Sequence, residues 1–475
     1  MPPYLDHNNR LNLASLFSAN QDRPALAAGS QILTYGDVQN GLERVVHNLE
    51  RPGVQKNHVL AIHAPNSVDH IFLFLASWVM GFTYAALDPK GPPGKVLAGL
   101  QPDYIVTPGD PAPWKGRVIS PDSLHEQAGK SIHFMDSIPL SQECSVIFTS
   151  GTTGEPKGVA HTVGAFYYSA MGTVEYFSLT PDDKWLVSLP LFHVGGMLIF
   201  IRTLLCGGMS IVHGDPGDLA PAISKWRPTV LSLVPTQLQR LMDIPEMNAP
   251  LAACKAILLG GAPCPGPLIE KALDAGVPIA PTYGSTEACA MVTAVKPESL
   301  RQEYFTAGRV LPYREVTLDR DGCVILGGET LFKHYIADGQ VEEALKNGKF
   351  RTSDLGEWDS KGNLKILGRR DLVFISGGEN INPLEIEKAL VETGLVQEAV
   401  VAPVDDAVFG QVPWAFVLTQ GPLDELKIRA ALKKILPPYK VPKRILPLKA
   451  SMGGKGVKRD RKALEKIARA MAQSL

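Results

Sequence analysis

The residues best suited to chemistry lie in Ile147-Phe-Thr-Ser-Gly-Thr-Thr-Gly-Glu-Pro-Lys-Gly158. Positions 149–158 hold four hydroxyls, three glycines and one lysine. Glycine lets a backbone pass close to a ligand, and successive exposed N–H groups form anion-binding nests. Thr149, Ser150, Thr152 and Thr153 add donors and Lys157 adds a positive charge, so the natural guest is a polyphosphate. A Walker P-loop would need four residues between its glycines and a Gly-Lys-Ser/Thr ending. Here Gly151 and Gly154 are three apart, and Pro156 and Gly158 flank the lysine. A mobile lid over phosphates fits this spacing better than a rigid cradle. The bland alternative is an ordinary Gly/Ser/Thr-rich surface loop.

Further motifs follow in order: Tyr283-Gly-Ser-Thr-Glu287, Thr352-Ser-Asp354, Gly368-Arg-Arg-Asp371 and Lys458. Together with the loop they resemble the signature motifs of the adenylate-forming superfamily of acyl-CoA ligases, peptide-synthetase adenylation domains and luciferases. The resemblance runs from residue 147 to the C-terminus. It implies two-step chemistry, since a carboxylate is a poor electrophile and hydroxide a poor leaving group. Transfer of AMP from ATP gives an acyl adenylate with a good leaving group, and a thiol then attacks it. The first step needs positioned phosphates, a divalent ion and a cation at the reacting oxygen.

On that resemblance Glu287 is the candidate Mg2+ ligand, because Mg2+ takes one or two carboxylates plus phosphates and waters. Thr286 can donate to the α-phosphate and Tyr283, beside Gly284, offers a flat face to adenine. Gly260-Gly261-Ala262 ends an expected strand, where a nucleotide would lie at the open carboxyl end of a sheet. Asp354 is suited to both ribose hydroxyls, with Arg369 as a ribose or phosphate donor; a simple turn acid is the other reading of Asp354. Lys458, five residues before the Ala of Arg461-Lys-Ala-Leu464, matches the adenylation lysine. Lys455, in Gly454-Lys-Gly456, competes because it has the more usual preceding glycine. Ser376-Gly-Gly-Glu-Asn380 could border a pantetheine channel through Gly377 and Gly378. His193 resembles the gate between carboxylate site and thiol entrance, although a lone His beside apolar residues is more often structural.

A finer resemblance, to o-succinylbenzoate–CoA ligases of menaquinone or phylloquinone synthesis, rests on five strings. They are Ala160-His-Thr162, Leu189-Pro-Leu-Phe-His-Val194, Ser232-Leu-Val-Pro-Thr-Gln237, Ala256-Ile-Leu-Leu-Gly-Gly261 and Phe374-Ile-Ser-Gly-Gly-Glu379. It adds Ser232, Thr236 and Arg202 as acyl-substrate residues. Arg202 lies in an apolar run nine residues past His193, the spacing found in those ligases. It would hold the second carboxylate of a dicarboxylic acid, or else form an internal salt bridge. A generic aryl or medium-chain acyl-CoA ligase and a stand-alone amino-acid or aryl adenylation enzyme remain as rivals. So does a non-catalytic sensor, although such a sensor would be expected to lose Lys458 or Glu287.

Strands alternating with helices must position these residues. Val59–Ala64 reads as a strand, Ser67 caps the Ile71–Met80 helix, and Tyr84–Pro89 and Tyr104–Pro108 continue the alternation. Val187-Ser-Leu-Pro, Met209–Val212, Val230–Val234 and Ala256–Gly260 repeat it, implying parallel sheets covered on both faces. From about 306, short strands at 314, 322 and 363 suggest a small antiparallel unit. The expected fold is α/β, with parallel-sheet subdomains and that antiparallel unit in a large N-terminal domain, residues 1–370. A small mobile α+β domain, 371–475, would carry the adenylation lysine and rotate about Asp371, as the resemblance implies.

A chain of 475 residues exceeds what one core usually serves, and 45% hydrophobic residues supply ample interior. A net charge of −1 argues against nucleic acid as partner. The run 427–469 nevertheless has 15 Lys/Arg against two acids, a solvated face or an attraction for a polyanionic cosubstrate such as coenzyme A. Cysteines 144, 206, 254, 264, 289 and 323 show no C-x-x-C pair, so reduced thiols are expected, with Cys289 more plausibly core than nucleophile. No signal peptide or spanning segment is read, which points to the cytoplasm. The expected ligands are ATP, Mg2+, coenzyme A and a small carboxylic acid. Assembly is left open between monomer and homo-oligomer.

Overall fold

The computed structural model describes residues 4–90, 94–109, 116–126, 137–149, 157–214, 217–262, 264–303, 305–419, 421–448 and 461–473. Ser150, Gly151, Thr152, Thr153, Gly154, Lys455 and Lys458 lie outside the described residues.

Apolar runs of four residues become the parallel cores of two large sheets. In the first, Glu143–Thr149, Thr83–Ala86, Val59–Ile62, Tyr104–Val106 and Arg117–Ile119 run parallel, side by side. Lys157–Thr162, His334–Ala337 and Gln340–Glu342 extend it antiparallel on the other side of Glu143–Thr149. In the second, Ile279–Ser285, Ala256–Leu259, Val230–Leu233, Lys184–Val187, Met209–Val212 and Pro24–Ala28 are parallel neighbours.

The expected strand at Val187-Ser-Leu-Pro is shifted: it spans Lys184–Val187, and residues 188–193 form its exit loop. Local pattern misplaced it because Leu189 is apolar, although its backbone serves a loop rather than a ladder. The unit expected from 306 is also divided. Arg314–Leu318, Cys323–Gly328, Phe350–Trp358 and Leu364–Arg369 form a four-stranded antiparallel sheet, while His334–Ala337 and Gln340–Glu342 return to the first large sheet.

Two apolar helices, Val68–Met80 and Val194–Cys206, lie in the largest core. The Ser67 side chain caps the first by accepting from the Asp69 N–H at 3.2 Å. Gly81 and Gly207 end them with φ of 77° and 76°, left-handed values that a side chain disfavours. Among the described residues no helix is long and apolar enough to cross a membrane.

Beyond residue 373 the strands Glu379–Ile381, Phe374–Ser376, Gly410–Leu418, Glu398–Asp406 and Arg444–Pro447 make another sheet. Phe374, Ile386, Leu390, Val401, Ala415 and Ile445 pack into a core of their own beside it. The Asn382 side chain links this region to the preceding sheet. It caps the helix Pro383–Glu392 through the Leu384 N–H and donates to the Leu367 carbonyl at 2.8 Å. A Cβ at position 368 would collide with that amide, and Gly368 has φ 148°, so glycine is required there.

Candidate functional site

Thr149 and Lys157, which flank the Gly/Ser/Thr-rich segment, pair antiparallel with each other. The Lys157 ammonium bonds Glu342 at 2.8 Å and lies 5.5 Å from the centroid of the Tyr335 ring. The Tyr335 hydroxyl in turn donates to Glu287 Oε1 at 2.9 Å. Lys157, Tyr335 and Glu287 thus stand in sequence, although they come from three separate segments. Tyr335 had no local signal, because it reaches Glu287 only through the pairing of His334–Ala337 with Lys157–Thr162.

His161 is fully buried, and its Nε2 bonds the Thr286 carbonyl at 2.7 Å. As a carbonyl only accepts, this nitrogen carries the proton. Burial pulls the imidazole pKa down to about 4, so the ring is neutral. Tyr335 and His161 hold the Thr286–Glu287 pair from two sides, one by carboxylate and one by backbone. The donor set fits Mg2+ chemistry, in which a single aimed carboxylate joins substrate phosphates.

Tyr283, Asp354, Arg369 and Asp371 form a second linked group. Asp354 faces Arg369 across the Phe350–Trp358 and Leu364–Arg369 strands. Its Oδ2 accepts from the Tyr283 hydroxyl at 2.7 Å, and Arg369 Nη1 is 3.4 Å from its Oδ1. Burial, and then the Asp354 charge, hold the Tyr283 hydroxyl well above its ordinary pKa. Arg369 reaches Asp371 with two bonds, Nε to Oδ1 at 2.9 Å and Nη2 to Oδ2 at 2.7 Å, which raise the guanidinium pKa further. Gly260, Gly261 and Ala262 follow the strand Ala256–Leu259, and Gly284 is exposed within Ile279–Ser285. These two strands are separated only by hydrogen-bonding distance at Leu259 and Pro281, which brings both motifs to one carboxyl edge.

His193 is exposed and stands at the N-cap of Val194–Cys206, with its ring 4.4 Å from that of Phe192. Arg202 lies on the same helix, only 2% exposed. Its guanidinium sits 5.2 Å from the centre of the Trp185 ring, and its Nε and Nη2 have no hydrogen-bond partner. Burial, with Arg314 nearby, lowers its pKa to about 9. Arg314 is satisfied differently, by the Met291, Pro312 and Ser169 carbonyls and the Ser169 hydroxyl. No acid is paired with Arg202 among the described residues. Ser232 is buried and Thr236 exposed in the first turn of Pro235–Met242. Cys289 is fully buried, and burial pushes its thiol up to about 12, so it is an unsuitable nucleophile.

Gly377 and Gly378 connect the strands Phe374–Ser376 and Glu379–Ile381 with φ of 58° and 89°. The hairpin itself requires glycine there. Nothing in this turn alone identifies a thiol channel.

A carboxylate aimed by Tyr335, beside a Gly-Gly strand exit at the carboxyl edge of an α/β sheet, is an arrangement suited to an adenylate-forming enzyme. The AMP-binding enzyme family matches residues 17–335 and its C-terminal domain matches 385–451. The chain belongs to the AMP-binding enzyme family. It is 30% identical over 448 residues to the 2-succinylbenzoate–CoA ligase of Bacillus subtilis strain 168, covering 90% of this chain and 91% of that one. Its fold is similar to that of the o-succinylbenzoate CoA synthetase from Bacillus subtilis in complex with the acyl-adenylate intermediate. The TM-score is 0.86 at 28% identity, covering 95% of this chain and 97% of the other. A second structure of that synthetase, with ATP and magnesium ion, gives a TM-score of 0.85 at 28% identity, with 95% and 98% covered.

Proposed function

We propose that the chain is an ATP-dependent 2-succinylbenzoate–CoA ligase of quinone biosynthesis, forming an acyl adenylate and then its CoA thioester. The carrying observation is Arg202, a buried guanidinium with two unpartnered nitrogens on the helix that His193 opens. A buried cation is costly without an anion, and a second substrate carboxylate supplies one. Relatives that bear the same substrate in their names support this choice of acid. The unpaired thiols suit a reducing cytoplasm.

In the first step a substrate carboxylate oxygen attacks the α-phosphorus and pyrophosphate leaves. Lys157, Thr149 and the loop between them cover the phosphates, and Thr286 donates to the α-phosphate. Glu287 would hold Mg2+, which supplies charge neutralisation at the phosphates. Tyr283 packs on adenine while Asp354 and Arg369 take the ribose. Lys458 stabilises charge at the reacting oxygens. In the second step the CoA sulfur bonds to the acyl carbon, AMP leaves with the bonding electron pair, and the thiol proton passes to solvent. His193 governs thiol entry.

The test supplies ATP, Mg2+ and 2-succinylbenzoate with or without CoA, against a panel of monocarboxylic aryl acids. Pyrophosphate without CoA, and thioester plus AMP with it, are expected for the dicarboxylic acid alone. Equal rates for the monocarboxylic acids would make the chain a generic aryl ligase. Adenylate without thioester would make it a stand-alone adenylation enzyme.

Division of the chain at 370/371 is part of the same reading, with Asp371 as hinge. Rotation there must release or re-form the paired bonds to Arg369. Asp371→Pro fixes φ and removes those bonds, so one half-reaction should fall at least about tenfold while the other survives. Separate assays of adenylate formation and of thioester formation from pre-made adenylate check this. Equal loss of both would remove the hinge from position 371.

A further inference from the structure

The exit loops of two parallel strands from different sheets meet at Asn66. One follows Val59–Ile62 and carries Asn66; the other follows Lys184–Val187 and leads to His193. Asn66 Oδ1 accepts from the Leu191 N–H at 2.9 Å, and its Nδ2 donates to the Leu189 carbonyl at 3.2 Å. An N–H only donates and a carbonyl only accepts, so the two bonds fix the amide orientation. The side chain therefore brackets Pro190, which has no N–H of its own to anchor the loop.

The bracket transmits directly to the gate. The Pro190 carbonyl accepts from the His193 N–H at 3.1 Å, and the His193 carbonyl opens the helix by accepting from Gly196 and Met197 at 3.0 and 3.2 Å. Position 196 must be glycine, because a Cβ there would overlap the Pro190 carbonyl. From the other side Gln237 donates to the Ser188 carbonyl at 3.1 Å, and the Ser188 hydroxyl bonds the Ser232 carbonyl. Gln237 and Ser188 tie the loop to its own sheet, whereas Asn66 ties it to the other sheet. Half-buried and uncharged, Asn66 gives an alignment that neither sheet provides alone.

The geometry points to Asn66 as a positioning residue that sets the backbone of the His193 gate and so serves thiol transfer rather than adenylation. This rests on the reading of His193 as the gate. Full-length Asn66→Ala, Asn66→Asp and His193→Ala are assayed separately for pyrophosphate release without CoA and for thioester formation from pre-made acyl adenylate. Asn66→Ala should lose roughly 10-fold in the kcat of thioester formation, the scale of two neutral hydrogen bonds, with adenylation changed less than about threefold. Asn66→Asp keeps the Leu191 acceptor, loses the Leu189 donor and should show the same split even if the alanine variant is poorly folded. Equal loss in both half-reactions, or no loss in thioester formation where His193→Ala loses it, would overturn the role of Asn66. An unaffected thioester step in His193→Ala would instead overturn the gate, and the role of Asn66 with it.

Discussion

Replacing Lys458 by alanine should slow acyl-adenylate formation by at least roughly 10²–10³-fold, the scale for removing one preorganised charge from a transition state. Charge accumulates on the α-phosphoryl oxygens and the departing pyrophosphate as the carboxylate attacks. If Lys458 comes from a mobile C-terminal domain, as proposed, it meets that charge only in one domain arrangement, so the chemistry of the second step should not need it. Supplied with pre-made acyl adenylate and CoA, Lys458→Ala should form thioester at close to the normal rate. The helix that follows, Arg461–Gln473, is anchored by a paired contact of Arg461 with Glu387, at 2.5 and 3.0 Å, which the substitution leaves alone. Rapid-quench measurement of adenylate formation beside a steady-state thioester assay separates the two steps. Near-normal adenylation in this variant, with collapse in Lys455→Ala, would transfer the role to Lys455.

Much of the architecture is legible because apolar runs and their punctuation are local. Four-residue runs such as Val230–Leu233 and Ala256–Leu259 lie in parallel as their composition suggests, and the cap at Ser67 is encoded within a turn of the helix it starts. What escapes reading is the wiring between segments. Tyr335 bonds Glu287 across 48 positions and His161 reaches Thr286 across 125. Neither pairing leaves a periodic trace, since a single polar residue on a strand looks like any alternation. Leu189 and Leu191 were equally opaque, because their apolar side chains conceal that Asn66 recruits their backbone groups. Motif residues announce the chemistry, whereas the residues that aim them announce nothing until the sheets are assembled.

Arg202 is the position where the choice of acid can be decided. Arg202→Leu removes a charge that is 2% exposed and whose Nε and Nη2 make no hydrogen bond. Replacing a buried, poorly compensated charge by an apolar side chain is often neutral or stabilising, so the melting temperature should hold or rise. A structural ion pair would behave in the opposite way, leaving an uncompensated partner and lowering it. The guanidinium matches a carboxylate through two parallel bonds, and such a charged hydrogen bond contributes about 1.5–3 kcal/mol. The KM for 2-succinylbenzoate should therefore rise roughly 10- to 150-fold, that energy expressed as affinity. ATP binding should change little, and monocarboxylic aryl acids should be affected far less, because they lack the second carboxylate. Arg202→Lys retains charge without the planar fork and should fall between the two. Melting curves alongside KM for both acid classes decide the matter. Equal losses for di- and monocarboxylic acids, or a sharp fall in melting temperature, would make Arg202 a structural residue and remove the main physical support for a dicarboxylic substrate.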